Sequence, residues 1–151
     1  MTPGVRGSYR NGMTFRPRNW FLLLGLTALL AGCAETSNNI SGTISMPAAL
    51  QSKLGESDAL YIVARKANGG PRPLAVQRMV GMTFPVHYTL SQEDVLMPGE
   101  LLQGKVEMQA IIRRSGVVSL QVPGDMSGSC ARNPVAVGDQ HADLTIDHLD
   151  H

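Results

Sequence analysis

The fold is decided by residues 58–80, DALYIVARKANGGPRPLAVQRMV. Ala59–Arg65 is an unbroken apolar run rich in β-branched and aromatic residues, a pattern typical of a central strand. The Asn-Gly-Gly-Pro sequence at 68–71 is a turn signal, and Leu74–Val80 follows as a second strand. The stretch therefore predicts a hairpin whose first strand lies inside a sheet.

Working outward from this hairpin, five more segments have strand patterns. Pro85, near the start of one of them, indicates an edge position or the first residue of a strand. Residues 47–54 and 91–94 predict short helical turns. About seven strands without a long amphipathic helix predict an all-β domain, either an antiparallel β-sandwich or a partly open barrel. The five segments are Ile40–Met46, Phe84–Leu90, Lys105–Arg113, Val117–Val122 and Ala142–Asp147.

The amino-terminal residues predict a secretory signal peptide over 1–32. Arginines precede an apolar run at 21–30 that is too short to span a bilayer, and the run ends in Leu30-Ala31-Gly32-Cys33. These four residues resemble a bacterial lipobox, which implies a lipidated Cys33 (palmitate included), cleavage before it and stable membrane anchoring. The alternative is an ordinary signal peptide with a chance cysteine. Ala34, in place of Asp, implies the outer membrane, facing the periplasm.

Four regions follow from these patterns: the leader at 1–32, a lipidated cysteine and polar tether at 33–39, the β domain at 40–147 and a carboxyl-terminal tail at 148–151. From residue 33 onward the chain has nine basic and twelve acidic residues, a net charge of −3 with histidine neutral. It contains no basic stripe interleaved with aromatic residues, which argues against nucleic-acid binding.

The sequence offers little for catalysis. No nucleophile elbow, phosphate loop or paired-carboxylate motif occurs, so we expect neither an enzyme nor a bound cofactor. Cys130 falls in the Gly/Ser/Pro-rich stretch 125–134, which predicts a loop. Its thiol is a redox or haem-handling group, an incidental residue or a site of adventitious dimerisation, and no second cysteine completes a Cys-x-x-Cys motif.

Histidines and aspartates are concentrated at the carboxyl terminus. His141 and Asp143 lie on one face of the predicted last strand, and His148 and His151 follow. Imidazole and carboxylate groups bind zinc or copper, so these four residues define an alternative function as a periplasmic metal-binding lipoprotein. The competing interpretation is a solvated chain end without metal. His87 falls on the polar side of its strand, where we expect it to face solvent.

Several blocks of the sequence together resemble a known family. Ile40–Ser45, Asp58–Arg65 and Gly70–Arg78 are similar, in order and spacing, to the carboxyl-terminal periplasmic domain of the cytochrome c-type biogenesis protein CycH, also called CcmI. The resemblance implies an immunoglobulin-like sandwich and a non-catalytic accessory role, with cytochrome c maturation components or apocytochrome as partners. The chain has no Cys-x-x-Cys-His site for haem attachment, and its lipobox-like sequence stands directly before the domain. The similarity continues through 97–99, 111–116, 121–125 and 134–138.

Five arginines could give a sheet face a positive charge. Such a face would attract an acidic peptide or haem propionates. The competing interpretation is that these are ordinary solvated side chains on the outer faces of strands. The five are Arg65, Arg72, Arg78, Arg113 and Arg114.

Overall fold

A computed structural model describes residues 38–115, 117 and 122–151. Within these residues, one four-residue helix, α1 (Ala48–Gln51), and one 3-10 turn at Gln92–Asp94 interrupt the strands. The described strands are β1 (Ile40–Ser45), β2 (Ala59–Lys66), β3 (Pro73–Val80), β4 (Val86–Leu90), β5 (Lys105–Arg113), β6 (Met126–Cys130), β7 (Val135–Ala136) and β8 (Leu144–Leu149).

The predicted hairpin is formed by β2 and β3. β2 pairs antiparallel with β3 from Ala59 to Arg65 and with β5 along its whole length. Residues 59–64 are buried on both faces of the sheet. The uninterrupted apolar run follows from this placement, because neither side of the strand meets water. The prediction of a central strand is confirmed.

The eight strands of the described residues form one continuous, nearly barrel-shaped sheet in the order β3-β2-β5-β6-β8-β1-β4, with β7 also pairing β5. β1 and β8 run parallel, and every other pair of described strands is antiparallel. The all-β class is confirmed. The expected purely antiparallel sandwich of about seven strands is not what the backbone forms, since its strands hydrogen-bond as one mixed sheet. The sequence pattern shows which residues are strands but not which strands are neighbours.

The interior is filled by the alternate side chains of the strands. Val106, Met108, Ala110 and Ile112 of β5 are fully buried, in the alternation that the sequence predicts. On β1, Gly42 lies on the inward side together with Ile40 and Ile44. A Cβ at Gly42 would lie 2.5 Å from the carbonyl oxygen of Ala142. Glycine at this position allows the segment before β8 to approach β1.

The loop predicted around Cys130 is wrong, because residues 126–130 form β6 between β5 and β8. A Cβ on Gly128 would collide with the carbonyl oxygen of Thr145 on β8. Glycine at position 128 is therefore required by close strand packing, not by a turn. Cys130 is only 4% exposed and packs in the core.

The connection between β6 and β7 is held to β5 by a side chain. Between the sections of β5 that pair with β6 and β7, the amide of Asn133 accepts a hydrogen bond from the Met108 backbone N–H (2.8 Å) and donates one to the Met108 carbonyl (2.9 Å). Asn133 thus supplies the hydrogen bonds that a strand residue would make. Neither this contact nor the two-residue strand β7 is evident from the sequence pattern.

Two expectations concern the carboxyl-terminal part of the chain. The predicted strand at Val117–Val122 lies outside the described residues except at its two ends. The last strand begins at Leu144 rather than Ala142 and continues to Leu149. Asp150 then exchanges backbone hydrogen bonds of 2.8 Å with Gly124 and Asp125, so backbone order extends past residue 147.

Candidate binding surface

The facing edges of β3 and β4 define a seam along which the sheet does not close. The two strands are the ends of the strand order and do not pair with each other. Ala75 forms an isolated antiparallel bridge with Val95, beyond the end of β4. Further along, the Gln77 side chain donates from Nε2 to the carbonyl oxygen of Thr89 (3.1 Å). A side chain therefore spans the seam where a backbone ladder would otherwise run.

Backbone polar groups of β4 point into this seam. Because the Thr89 carbonyl accepts the Gln77 bond, Thr89 faces β3 rather than its neighbour β1. Alternation along an antiparallel strand turns the N–H and C=O of His87 to the same side. Such edge groups can hydrogen-bond an added extended segment. The predicted edge position of the strand that follows Pro85 is confirmed.

Gln77 itself is incompletely bonded. Its Oε1 is buried, and no residue within 38–115, 117 and 122–151 donates to it. A buried acceptor without a donor raises the free energy of the folded state by about 1–3 kcal/mol. A donor brought in from outside the described residues, a peptide N–H for example, would relieve this cost. Sequence analysis missed Gln77; a polar residue on the inward side of an apolar strand is the signal that could have found it.

A polar groove of about 360 Å³ lies beside the seam. Asp143 accepts a hydrogen bond from the Thr43 backbone N–H (2.9 Å), and Thr43 Oγ1 lies 3.2 Å from His87 Nδ1. Tyr88 donates to the Ala142 carbonyl (2.6 Å), and burial, together with nearby Cys130 and acidic groups, raises the pKa of its hydroxyl. Tyr88 therefore stays protonated and acts as a structural donor. His87 is exposed, as expected.

The four candidate metal ligands are divided between the two ends of β8. His141 and Asp143 line the polar groove. His148, within β8, pairs with Asp150 (3.4 Å), and His151 is the exposed last residue. Five steps of extended chain from Asp143 to His148 span about 17 Å. Among the described residues, no group of three or more His, Cys, Asp or Glu side chains is arranged to hold a metal ion.

The five arginines do not form one surface. Arg65 bonds Gln109 Oε1 (2.7 Å), and Arg78 Nε bonds the Tyr61 hydroxyl (3.2 Å), both from the outer face of the sheet. Arg72 is exposed in the turn before β3. The other two have structural contacts: Arg113 pairs with buried Asp125 (2.9 Å), and Arg114 donates to the Lys53 carbonyl (2.9 Å).

Asp125 is a structural residue that sequence analysis also missed. Burial raises the pKa of its carboxyl, but hydrogen bonds from the backbone N–H groups of Arg114 and Val122 and from Arg113 outweigh burial, so the pKa is lowered overall. The ionised carboxylate holds the end of β5 against the turn before β6. The sequence signal that could have identified Asp125 is its position directly after the turn residues Pro123-Gly124.

Of the remaining site predictions, Cys33 lies outside the described residues. Cys130 is in the core, which leaves no exposed thiol among the described residues. Within the same residues, no helix has both the length and the apolar character needed to cross a bilayer.

The fold and the seam together define a small all-β domain with polar edge groups. Comparison with known families is more specific. Residues 40–147 match the cytochrome c-type biogenesis protein H Ig-like domain, and the chain belongs to that family.

Two individual proteins are similar to this chain. The cytochrome c-type biogenesis protein CycH of Pseudomonas aeruginosa is 32% identical over 88 residues, which cover 57% of this chain and 22% of that protein. The chain thus spans about a fifth of the length of this relative. An uncharacterised protein of Aquifex aeolicus is 22% identical over 110 residues, covering 73% of this chain and 71% of that one.

One solved structure is also similar. An alternative pilotin from the type II secretion system of Vibrio cholerae aligns with a TM-score of 0.43 and 14% identity. The alignment covers 73% of this chain and 96% of the pilotin.

Proposed function

We propose that this protein is a lipid-anchored, non-catalytic accessory protein of the periplasm that binds an extended segment of a cytochrome c maturation component or an apocytochrome. Membership of the CycH Ig-like family and similarity to the Pseudomonas protein CycH support the link to cytochrome c biogenesis. One structural observation carries the binding mode, namely that the side chain of Gln77 replaces a backbone ladder between β3 and β4.

In this proposal the hydrogen bond between Gln77 and Thr89 opens, and an extended partner segment adds to β4 along the seam. The backbone groups of His87 and Thr89 supply edge hydrogen bonds, and side chains beside the edge select the partner. A peptide N–H from the partner would also satisfy Gln77 Oε1, which has no donor among the described residues. The gain on binding is larger where a buried polar group is satisfied than where two hydrated groups merely exchange water.

Site-specific photocrosslinking tests the binding mode. A photoreactive amino acid replaces His87, which is exposed on the seam edge, and in a control replaces Thr145, which is exposed on β8 between two paired strands. We expect maturation components or apocytochrome to crosslink at position 87 and not at 145. Equal crosslinking at both positions would exclude the seam as the binding site.

A deletion strain tests the pathway independently of the site. We expect reduced haem staining of c-type cytochromes, restored by the intact gene and not by a Thr89→Pro variant, which removes an N–H that faces the seam but keeps the Thr89 carbonyl. Unchanged haem staining in the deletion strain would remove the assignment to cytochrome c biogenesis.

The anchor is tested by labelling. Palmitate should enter the protein, and Cys33→Ser should abolish both labelling and cleavage, with the intact protein recovered in the outer-membrane fraction. A Cys130→Ser variant is the matched control, because Cys130 is buried in the core. Labelling that persists in Cys33→Ser would refute lipidation at this residue.

A further inference from the structure

We propose that the apolar side chains of Leu96, Met97 and Leu101 dock on the surface of the membrane that holds the anchor. This inference rests on the proposed lipid anchor at Cys33. The three side chains are 52%, 39% and 56% exposed, and they belong to one loop between the 3-10 turn and β5. Large apolar side chains grouped on one exposed loop are typical of a surface that contacts another apolar phase.

The loop is held in one shape by hydrogen bonds. Gln92 donates to the Glu100 carbonyl (2.9 Å) and accepts from the Leu102 N–H (2.8 Å), while Glu100 N–H bonds the Met97 carbonyl (3.2 Å). Leu102 is buried in the core beneath the loop. The exposed apolar side chains are therefore presented by a fixed backbone, so little conformational entropy would be lost when they enter a membrane surface.

This loop lies at the end of the sheet where the chain enters the domain. Ile40, the first residue of β1, pairs with Leu90, the last residue of β4, which is two residues before Gln92. On the other side, the Gly138 N–H bonds the Asn39 carbonyl (3.1 Å), and the Val137 N–H bonds the Gly104 carbonyl (2.9 Å). Asn39 and the two ends of the loop therefore lie at the same end of the sheet.

Chain length then determines which end can approach the anchor. The five residue-to-residue steps from Cys33 to Asn38 reach at most about 18 Å even when fully extended. Val80, at the other end of β3, lies about 23 Å from the start of that strand. Lipidation at Cys33 would thus hold the end bearing the loop nearest the bilayer. Arg72 and Lys105, exposed at the starts of β3 and β5 at this end, suit the phosphate of anionic headgroups.

Tryptophan fluorescence can test this orientation without interference. The only tryptophan of the sequence is Trp20, within the predicted leader, so the chain from Cys33 onward contains none. Leu101→Trp places a reporter in the loop. Val80→Trp is the matched control, since Val80 is 58% exposed and lies at the opposite end of the sheet.

Both variants are produced from residue 33 onward and coupled through the Cys33 thiol to a maleimide lipid, a reaction that the buried Cys130 does not compete for. The vesicles contain phosphatidylethanolamine, phosphatidylglycerol and a lipid with brominated acyl chains. We expect bromine to quench Leu101→Trp about twofold or more and to leave Val80→Trp unchanged. A Leu96→Ser, Met97→Ser background should reduce the quenching.

Equal quenching of the two reporters, or no quenching of Leu101→Trp, would overturn the docking proposal. If the fluorescence of Leu101→Trp indicates a buried tryptophan in native membranes but not in the vesicles, the loop contacts a protein instead. The docking proposal fails in that case as well. Because the lipid is coupled chemically, these results do not depend on lipidation in the cell. The palmitate experiment decides that question separately.

Discussion

The centre of the sheet and the seam hold neighbouring strands together by different means. β2 is flanked by backbone ladders on both sides and buried on both faces, whereas β3 and β4 are joined across the seam by one glutamine side chain and a nearby bridge. Backbone pairing and apolar burial concentrate stability at the centre. The seam keeps polar edge groups available at a small cost in stability. Stability and binding can therefore be altered separately by mutation.

The largest effect is expected at the centre. Ile62→Ala removes a fully buried side chain from β2 and leaves a cavity between two ladders. We expect a loss of about 3 kcal/mol in the free energy of unfolding, measured by urea denaturation. Val80→Ala, at an exposed position of the adjacent strand, is the control and should cost less than about 0.5 kcal/mol. Similar losses in the two variants would contradict the contrast between centre and edge.

An intermediate effect is expected at Asp125, which secures the far end of β5. Asp125→Asn loses the charge that Arg113 and two backbone N–H groups stabilise. We expect a loss of about 2 kcal/mol at neutral pH in urea denaturation.

The pH dependence of stability gives a second measurement at Asp125. The pKa of Asp125 is lowered in the folded state, so its contribution is fully present above the unfolded pKa of about 3.9 and is lost as pH falls below it, through the folded pKa. Thermal unfolding between pH 6 and pH 2 should therefore be less pH-dependent in Asp125→Asn. Parallel profiles for the two proteins would show that this carboxylate is not responsible.

A smaller effect is expected at the seam itself. Gln77→Leu removes the bond to Thr89 and also the buried Oε1 that lacks a donor. These changes oppose each other, so we expect the free energy of unfolding to change by less than about 1 kcal/mol in either direction. Crosslinking through position 87 should nevertheless decrease, because the partner segment loses the acceptor Gln77 Oε1. A loss as large as that of Ile62→Ala would mean that the seam is part of the core.

The smallest effect concerns metal ions. Because β8 separates His141 and Asp143 from His148 and His151, we expect zinc and copper(II) to bind with a Kd weaker than about 10⁻⁴ M in calorimetry. A chain ending at Asp147 should behave like the full one. Sub-micromolar binding that is lost on this truncation would restore the metal-binding alternative.

The sequence predicts local structure well and long-range contacts poorly. Alternation identifies β1 and β5 because their inward residues meet one apolar core, and Pro85 marks the edge because proline cannot donate to a ladder. It fails at β6, where close packing against β8 requires Gly128 and so resembles the composition of a loop. The parallel pairing of β1 with β8 depends on residues about 100 positions apart. No local pattern contains that information.

In the candidate site, too, the sequence predicts local structure but not long-range contacts. That β4 is an edge strand could be predicted, but the opposition of Gln77 and Thr89 across the seam could not, because twelve residues and a loop separate them. The histidines and aspartates near the terminus look like one cluster in sequence. An extended strand between them separates the two pairs in space.

Asn133 and Gly128 also have a consequence for alternative pairings. A slip of β6 by one residue along β8 would bring Ser127 or Ser129 to the position where only glycine fits against Thr145. The same slip along β5 would move the chain that leads to Asn133, whose amide must meet both polar groups of Met108. Gly128 and Asn133 thus disfavour neighbouring registers of β6. In a polar, glycine-containing strand these registers would otherwise be close in energy. Misregistered pairing of this strand is therefore disfavoured.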